Sequence, residues 1–580
     1  MSLTDEQLML LEQLTYMDTD VANEASVSLN TNAKTVQEFI QPFLDNPDAL
    51  KNLENSTRDS ISGGVMQGSE WAAIIREVEN DPELMKLEMD VNYTSQKDKT
   101  IDNIVFTEPN GDPNKAIVAF RGTLDGTEWN DNFLGFNTTD TECQQEALRF
   151  INGLPYNDIT VIGHSKGGNK AQYCTLLSDK VTYCLSMDGQ GFSPEFIDKY
   201  WAEIQARGYM INNYSLKNDF VHGIILTIPG SNQKYFTGSG MANAAENHSP
   251  CSFFQFMQDD KTGFSAIIHN EDGSIYLIEV DEEDLSLQYI HKFFNFVENI
   301  MPDDQKNQVV TLLGPLLAMT IGGGIVIDGT LYKGQDDALK YLSEHQEEAS
   351  VLLGYLLKYI YLYDLSDEEI CSMFESFGFG DIADGIKEFQ EEHPWLFSMG
   401  VGSIKSLLKQ LGDGNDDKII KWLLGYLSDY LKEKGIDIDV KELWDDTERV
   451  FSSIDVTDLD AAIAEPTLRE DKIYNFSKEA FENIMETISS FENYLYEIVD
   501  WSKYENEKWS GDFLISSITN AINRYIDGVA EQMSTSKARI EETFNKIWVL
   551  DNEYSTKIEI LAEDVTSSKD KYTALAECIK

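Results

Sequence analysis

The hydroxyl of Ser165 lies in the segment of this chain whose residue types and spacing best suit nucleophilic chemistry. Residues 163–168 read Gly-His-Ser-Lys-Gly-Gly; an apolar, β-branched run at 159–162 precedes them, and a stretch at 169–174 that can form a helix follows. Strand, G-x-S-x-G and helix together are the sequence form of a nucleophile elbow, a tight turn that exposes the serine hydroxyl. The turn also leaves the backbone amide of Lys166 free to donate to an oxyanion. The pattern therefore predicts Ser165 as a nucleophile and Lys166 as an oxyanion donor.

A serine nucleophile needs a histidine base, and the chain has 7 histidines. His248 is the favoured base, because it lies in a loop-like stretch at 245–250, downstream of the elbow and of the candidate acids. His269 and His291 remain as weaker alternatives. The other histidines are less suitable. His164 lies inside the elbow, and His222 follows the best acid too closely. His345 and His393 lie in helical sequence.

The base needs an acid to orient it, and in α/β-hydrolases the chain order is serine, acid, histidine. The acid is expected at the end of a strand after the elbow. Asp219 fits this position behind a strand-like run, and Asp188 competes because it also follows a strand. The order of the residues along the chain and the placement at the end of a strand together favour Asp219 over Asp188 as the acid.

The oxyanion hole needs a second donor from the end of an earlier strand. Residues 119–123, Ala-Phe-Arg-Gly-Thr, end such a strand, and Thr123 can supply its amide and its hydroxyl. The alternative for this segment is an ordinary turn.

The pattern of strands and helices indicates what positions these groups. Strand-like runs alternate with helical sequence, which predicts a largely parallel sheet with both faces covered. After about residue 285 the strand signal vanishes and helical periodicity continues. The predicted strands lie at 103–106, 116–120, 159–162, 181–185 and 210–215, and a helix is predicted at 141–152.

The composition excludes some classes of partner. The 580 residues include 45 Lys and Arg against 101 Asp and Glu, which gives a net charge of -56. Phosphate backbones repel such a chain, so we expect no nucleic-acid partner. The 6 cysteines form no C-x-x-C pair, so neither a metal site nor a cofactor is predicted. The first residues are acidic and polar, which does not indicate a cleavable signal peptide.

One apolar run, residues 312–327, is shorter than a bilayer-spanning helix needs and contains a proline and three glycines in a row. A buried core segment is favoured, and a membrane-active segment is the alternative. Three domains are predicted: 1–300 with an α/β fold, a helical middle region at 301–465, and 466–580. The last contains two long amphipathic helical patterns on either side of Trp-Ser-Gly at 509–511, which predict a helical hairpin.

Residues 118–123, Val-Ala-Phe-Arg-Gly-Thr, with Trp129 and Asp131 after them, resemble the oxyanion segment of class 3 lipases. The elbow has Lys166 where many lipases carry leucine. With its glycine pair it resembles a bacterial lipase-like family related to class 3 lipases. The resemblance covers residues 1–300.

In that family the elbow, an Asn-Asp pair as at 218–219 and Asn-His-Ser-Pro as at 247–250 follow in this order. The resemblance implies an α/β-hydrolase fold with a doubly wound, mostly parallel sheet, and hydrolysis of acyl esters of lipids, including phospholipids. It implies no cofactor. It assigns a catalytic triad and two oxyanion donors: Ser165, Asp219 and His248, with Thr123 and Lys166.

The segment around 509–511 resembles the WXG-type and LXG-type helical hairpins that type VII secretion exports. The order of domains resembles lipase effectors with a C-terminal export module. This implies export from a Gram-positive bacterium without a cleavable signal peptide, small helical partner proteins and an immunity protein; a cytoplasmic enzyme is the alternative. No tyrosine-x-x-x-acid signal follows the hairpin, since Tyr554 is followed by Ile558 and Tyr572 by Ala576.

Overall fold

A computed structural model describes residues 3–56, 66–97, 100–123, 128, 131–132, 134–135, 138–239, 247–258, 263–320, 324–327, 330–376 and 440–466. The chain divides into two compact units, Met1–Leu468 and Arg469–Lys580. Every described residue belongs to the first unit. The hairpin predicted in the C-terminal region, with its Trp-Ser-Gly turn, lies outside the described residues. The domain boundaries predicted at 300 and 465 stay predictions.

The first unit is built on a mixed β-sheet. Its strands are ordered β1-β3-β4-β5-β6-β7-β8-β11, and β2 pairs with β3 at one edge. Neighbouring strands from β4 to β8 are parallel, and the pairs outside them are antiparallel. Two small sheets, β9 with β10 and β12 with β13, lie apart from it. The strands are β1 Glu88–Met89, β2 Ser95–Lys97, β3 Thr100–Thr107, β4 Lys115–Phe120, β5 Asp158–His164, β6 Val181–Met187, β7 Ile211–Leu216, β8 Asn232–Thr237, β9 Phe256–Gln258, β10 Ser265–Ile267, β11 Ile278–Val280, β12 Ile325–Ile327 and β13 Thr330–Tyr332.

Helices cover both faces of the sheet, so the unit has an α/β fold, and further helices after the sheet pack in separate apolar cores. The helices of the described residues are α1 Asp5–Gln13, α2 Thr19–Glu24, α3 Val36–Asp45, α4 Ala49–Glu54, α5 Gly68–Asn80, α6 Pro82–Met85, α7 Glu142–Gly153, α8 Lys166–Leu177, α9 Pro194–Lys199, α10 Trp201–Arg207, α11 Leu285–Ile300, α12 Asp303–Thr320, α13 Gln335–Glu344, α14 Gln346–Leu362, α15 Asp367–Ser376, α16 Val440–Ser453 and α17 Leu459–Ala462.

Strand β4 shows why its sequence is apolar throughout. Val118 and Phe120 pack into a core with α7 and α8, whereas Ile117 and Ala119 pack into a core with α1 and α5. Successive side chains of a strand point to opposite faces, so a strand covered on both faces is apolar at every position.

The topology differs from the predicted doubly wound sheet. Strands β4 to β8 are added in one direction along the sheet, so right-handed crossovers place α7, α8, α9 and α10 on the same face. The opposite face is covered by helices that precede the parallel strands, α1 and α5 among them.

The five predicted strands correspond to β3 to β7, and the predicted helix corresponds to α7, which a capping box at Thr141 begins. Strands β1, β2 and β8 to β11 were not predicted. The expectation that strands end at about residue 285 is wrong, because β12 and β13 form a hairpin. Strands of three residues are too short to show an alternating pattern.

The apolar run at 312–327 lies largely in α12, β12 and the segment between them. Leu312, Leu316 and Met319 are buried against α13, as expected of a core segment; residues 321–323 lie outside the description. In the described part of the chain, no helix is long and apolar enough to cross a membrane. A further core joins Phe220 to α11 and α14.

Candidate active site

Ser165 lies between the end of β5 and the first residue of α8, at φ 58° and ψ -123°. Few residues other than glycine adopt such a backbone, and its strain is held by close packing on both sides. A Cβ on Gly163 would lie 2.2 Å from the carbonyl carbon of Gly167, and one on Gly167 would lie 2.1 Å from the carbonyl oxygen of Phe120. The Ser165 amide donates to the carbonyl of Met187 at 2.9 Å. The two glycines of G-x-S-x-G are therefore required by the packing of the turn.

His248 connects the serine to a buried carboxylate. Its Nε2 lies 2.8 Å from Ser165 Oγ, and its Nδ1 lies 2.6 Å from Asp219 Oδ2. Asp219 follows β7 and is fully buried, and its Oδ1 accepts a hydrogen bond from the Val221 amide at 2.8 Å. Burial raises the pKa of Asp219, but the charge and hydrogen bond of His248 and the nearby His222 outweigh it and hold the pKa below its usual range. The structure thus joins an ionised carboxylate, an imidazole and a hydroxyl by two consecutive hydrogen bonds.

Asp188, the competing acid, follows β6 and is also fully buried. Its Oδ1 accepts a hydrogen bond from the Leu216 amide at 2.8 Å. Burial and the neighbouring charge of Asp219 raise the pKa of Asp188 well above its usual range, with His222 and the Leu216 amide opposing them. The carboxylate that His248 Nδ1 contacts is therefore that of Asp219.

The alternative bases have other partners. His269 Nε2 lies 2.9 Å from Glu77 Oε1, and His291 Nδ1 lies 3.4 Å from Glu283 Oε1. Neither of these histidines faces Ser165.

Of the two predicted oxyanion donors, Lys166 directly follows the serine in the turn. Lys166 is the first residue of α8, and the first amides of a helix have no partner within the helix. The segment before Thr123 is close to the nucleophile, since a Cβ on Gly122 would lie 3.3 Å from Ser165 Cβ. The Thr123 hydroxyl accepts a hydrogen bond from Asn132 Nδ2 at 3.0 Å, and a hydroxyl that accepts one hydrogen bond can also donate one.

The side chain of Lys166 has a role that the sequence did not reveal. Its Nζ lies 2.5 Å from Asp131 Oδ2, and the two side chains are 1% and 7% exposed. Asp131 also accepts from Thr141 Oγ1 at 2.7 Å and from the Cys143 amide at 3.3 Å. Burial raises the pKa of Asp131, but the charge and hydrogen bond of Lys166 outweigh it and hold the pKa below its usual range.

A second buried ion pair lies one helical turn further along α8. Lys170 Nζ lies 2.9 Å from Glu128 Oε1. The two lysines are four residues apart on α8, and the two acids, Glu128 and Asp131, are three apart in the segment after Thr123. The two pairs therefore join the oxyanion segment to the helix that begins at the nucleophile.

The N-terminal helix supports the elbow from the other face of the sheet, which sequence reasoning also missed. The Tyr16 hydroxyl lies 2.8 Å from His164 Nδ1 and accepts a hydrogen bond from the Gly122 amide at 3.1 Å. Gln13 Nε2 donates to the carbonyl of Pro250 at 3.0 Å. No local pattern indicates these contacts, because their partners are more than 100 residues away in the chain.

In the described part of the chain, two groups of side chains around Ser165 and His248 are close enough to surround a cation: His164, Asp188 and His248, and Asp188, Asp219 and His222. Both nitrogens of His248 already contact Ser165 and Asp219, and both groups share residues of this hydrogen-bonded arrangement. We therefore assign none of them as a metal ligand.

A family model described as Mbeg1-like matches residues 85–240. The matched range contains Ser165 and Asp219 and ends before His248. It spans less than half of the chain and is thus a similarity of this region. No curated protein and no solved structure gives a significant match.

Proposed function

We propose that the protein is a serine hydrolase of the α/β-hydrolase type that cleaves acyl esters of lipids, as an esterase, a lipase or a phospholipase. The observation that carries the proposal is the line of contacts from Asp219 through His248 to Ser165, at 2.6 and 2.8 Å, with the serine on a strained strand-to-helix turn. Nucleophile, base and orienting acid in this order are the requirements of acyl transfer through a serine.

Each group has a definite task in the reaction. The Ser165 oxygen attacks the acyl carbon while His248 Nε2 takes the hydroxyl proton, and the same nitrogen then protonates the leaving alkoxide. Asp219 stabilises the imidazolium that forms. The amides of Lys166 and Thr123 donate to the oxyanion. Water enters as the second nucleophile, and His248 activates it in the same way.

The lipid nature of the substrate rests on the resemblance of residues 118–123 and of the elbow to class 3 lipases. The ester chemistry rests on the contacts of the triad. The two parts of the proposal are separable, because the same three side chains also serve hydrolases of thioesters and peptides.

A fluorophosphonate probe tests the chemistry. We expect the probe to label the full-length protein at Ser165, and Ser165→Ala to remove both the labelling and the hydrolysis of esters. Ser274→Ala, the same change in an exposed turn, is the matched control and retains both. Absence of labelling in a folded protein would refute the enzyme and favour an interaction protein with a silent hydrolase fold.

A panel of esters of graded chain length, phospholipids, thioesters and peptides tests the substrate class. We expect turnover of lipid esters. Turnover of thioesters or peptides alone would keep the nucleophile and refute the lipase.

We further propose that the C-terminal region directs type VII export and binds small helical partners, on the basis of Trp509 and Gly511 between two amphipathic patterns. The test is expression of the full chain and of a chain ending at Leu468 in a Gram-positive host with and without that secretion system. Only the full chain is expected in the medium, and only with the system present. Equal amounts of both chains in the medium would refute the role in export.

A further inference from the structure

The imidazole of His222 lies behind the acid of the triad. It sits in the short helical turn Val221–Gly223, three residues after Asp219, and is 7% exposed. Its Nε2 lies 3.0 Å from Glu283 Oε2. Its Nδ1 lies 3.8 Å from Asp219 Oδ1 and 3.9 Å from Asp188 Oδ1. Three carboxyl groups thus surround one ring.

The arrangement determines the protonation of that ring. A neutral imidazole presents a lone pair at one nitrogen, which a carboxylate oxygen repels. Here both nitrogens face carboxylate oxygens, at Glu283 on one side and at Asp188 and Asp219 on the other. Nδ1 makes no hydrogen bond within the described residues, and an imidazolium places its second proton toward the oxygens of Asp219 and Asp188 while the first is bound by Glu283.

Charge balance leads to the same result. Asp188 and Asp219 are both 0% exposed, and the buried charge of Asp219, next to a second carboxyl group whose pKa is raised, is stabilised by a neighbouring cation. His248 cannot serve as a fixed cation, because it must be neutral when it takes the proton of Ser165.

We propose that His222 is a positioning residue of the triad, a permanent imidazolium that keeps Asp219 ionised and oriented toward His248 and that Glu283 holds in place. The kinetic part of this inference rests on the proposed function. The protonation of His222 does not.

The titration directions of the cluster agree with this geometry. Burial lowers the pKa of His222, but the nearby Asp219 and the hydrogen bond and charge of Glu283 outweigh it and raise the pKa to about 10. Burial raises the pKa of Glu283, but hydrogen bonds from His222 and His291 outweigh it and lower the pKa to about 2.

Among the described residues, the other titratable groups that face this cluster are His164 of β5, Tyr235 of β8 and His291 of α11. Burial and the charge of His248 lower the pKa of His164 well below its usual range, so this ring stays neutral. The Tyr235 ring lies 5.8 Å from the His222 ring, and burial raises its pKa, so it stays uncharged. His291 contacts the other oxygen of Glu283, and its Nε2 lies 3.4 Å from Glu465 Oε1. His222 is therefore the imidazole that the carboxyl groups of the triad region face.

The direction in which loss of His222 shifts the pH profile follows from the positive charge of its imidazolium. Activity needs Asp219 ionised and His248 neutral, so protonation of this pair produces the acid limb of the pH profile. Removal of a neighbouring cation makes protonation of both groups easier. His222→Gln should therefore move the acid limb of kcat/KM to higher pH by about half a unit or more, with KM changed less than about twofold.

The first measurement does not need catalysis. Full-length protein is labelled with ¹³C at histidine Cε1, and the His222 signal is identified as the one that His222→Gln removes. We expect this signal to keep its imidazolium shift from about pH 6 to about pH 8.5, whereas an ordinary histidine titrates near about 6.5. A His222 signal that titrates near that ordinary value, or stays neutral, overturns the inference whatever the activity.

The second measurement is the pH profile of the same variant, with His291→Gln as the matched control. That control removes the other imidazole on Glu283 and is expected to leave the acid limb in place. A loss of kcat by the same factor at every pH in His222→Gln means a merely structural role and overturns the inference. If the imidazolium signal is found in a wild type that cleaves no ester, the proposed function fails while the protonation of His222 stands.

Discussion

The buried pair of Lys166 and Asp131 allows a sharp test of what holds the oxyanion segment against the nucleophile helix. The side chains are 1% and 7% exposed, and the Nζ and Oδ2 atoms are 2.5 Å apart. Removal of one partner leaves an uncompensated buried charge, which costs about 3–5 kcal/mol of unfolding free energy. Replacement of both partners by apolar side chains of similar volume costs far less, because neither charge is then left unpaired.

The perturbations are Lys166→Met, Asp131→Leu and the double variant. We expect each single variant to lose about 3–5 kcal/mol, and the double variant to lose less than either single variant. Asp131→Leu also leaves Thr141 Oγ1 and the Cys143 amide without their acceptor. That variant should therefore be the less stable of the two single variants.

The assay is urea denaturation of the full chain, read from the transition that removes Ser165 labelling by a fluorophosphonate. Losses of less than about 1 kcal/mol in the single variants, or a double variant that loses the sum of both, would refute the reasoning. The pair also predicts a pH dependence. Because the folded pKa of Asp131 is depressed, its contribution to stability is complete above about 3.9, its unfolded value, and is lost as pH falls through the folded value.

Three further predictions concern the elbow, the acid and the extent of the catalytic unit. Asp219→Asn should lower kcat/KM by about 10³–10⁴-fold, because it favours the wrong tautomer of His248. Asp188→Asn keeps an acceptor for the backbone amide and should lower kcat/KM less than about tenfold. The reverse ranking in ester kinetics would reassign the acid. Gly167→Ala should lower the free energy of unfolding by about 1–3 kcal/mol and abolish labelling, because its Cβ would lie 2.1 Å from a carbonyl oxygen of β4. For Gly153→Ala, whose Cβ would have nothing within 4 Å, the free energy of unfolding should change by less than about 0.5 kcal/mol. Equal urea midpoints of the two variants would contradict this. A chain that ends at Leu468 should retain ester hydrolysis, because all three triad side chains lie in the unit Met1–Leu468; a folded but inactive truncation would place part of the site elsewhere.

The sequence could predict those parts of the site that depend on neighbours along the chain. The elbow is local: the strand, the serine turn and the start of α8 are consecutive, and its two glycines are required by contacts that any such turn makes. The long strands β4 and β5 show apolar runs because they are buried on both faces, and β3 has such a run at 104–106. The short strands outside them have three residues or fewer in most cases, which is too few to carry a pattern.

The sequence narrowed the base and the acid to a few candidates but could not bring them together. His248 lies 83 residues after Ser165 and 29 after Asp219, and only the folded sheet places their atoms within hydrogen-bond distance. The same holds for Asp188, whose position after β6 satisfies the same sequence rule as that of Asp219 after β7.

Three features of the site were decided by tertiary structure alone: the ion pair of Lys166 with Asp131, the contact of Tyr16 with His164, and the carboxyl groups around His222. In the sequence the members of each feature are isolated polar residues, and polar residues are in general exposed to solvent. In the fold these side chains are buried, and a buried charge is destabilising unless an opposite charge or a hydrogen bond compensates it. The packing of elements distant in sequence determines which residue supplies that compensation. The sequence by itself determined the serine turn and the strand that carries it, whereas the fold determined which charges surround it.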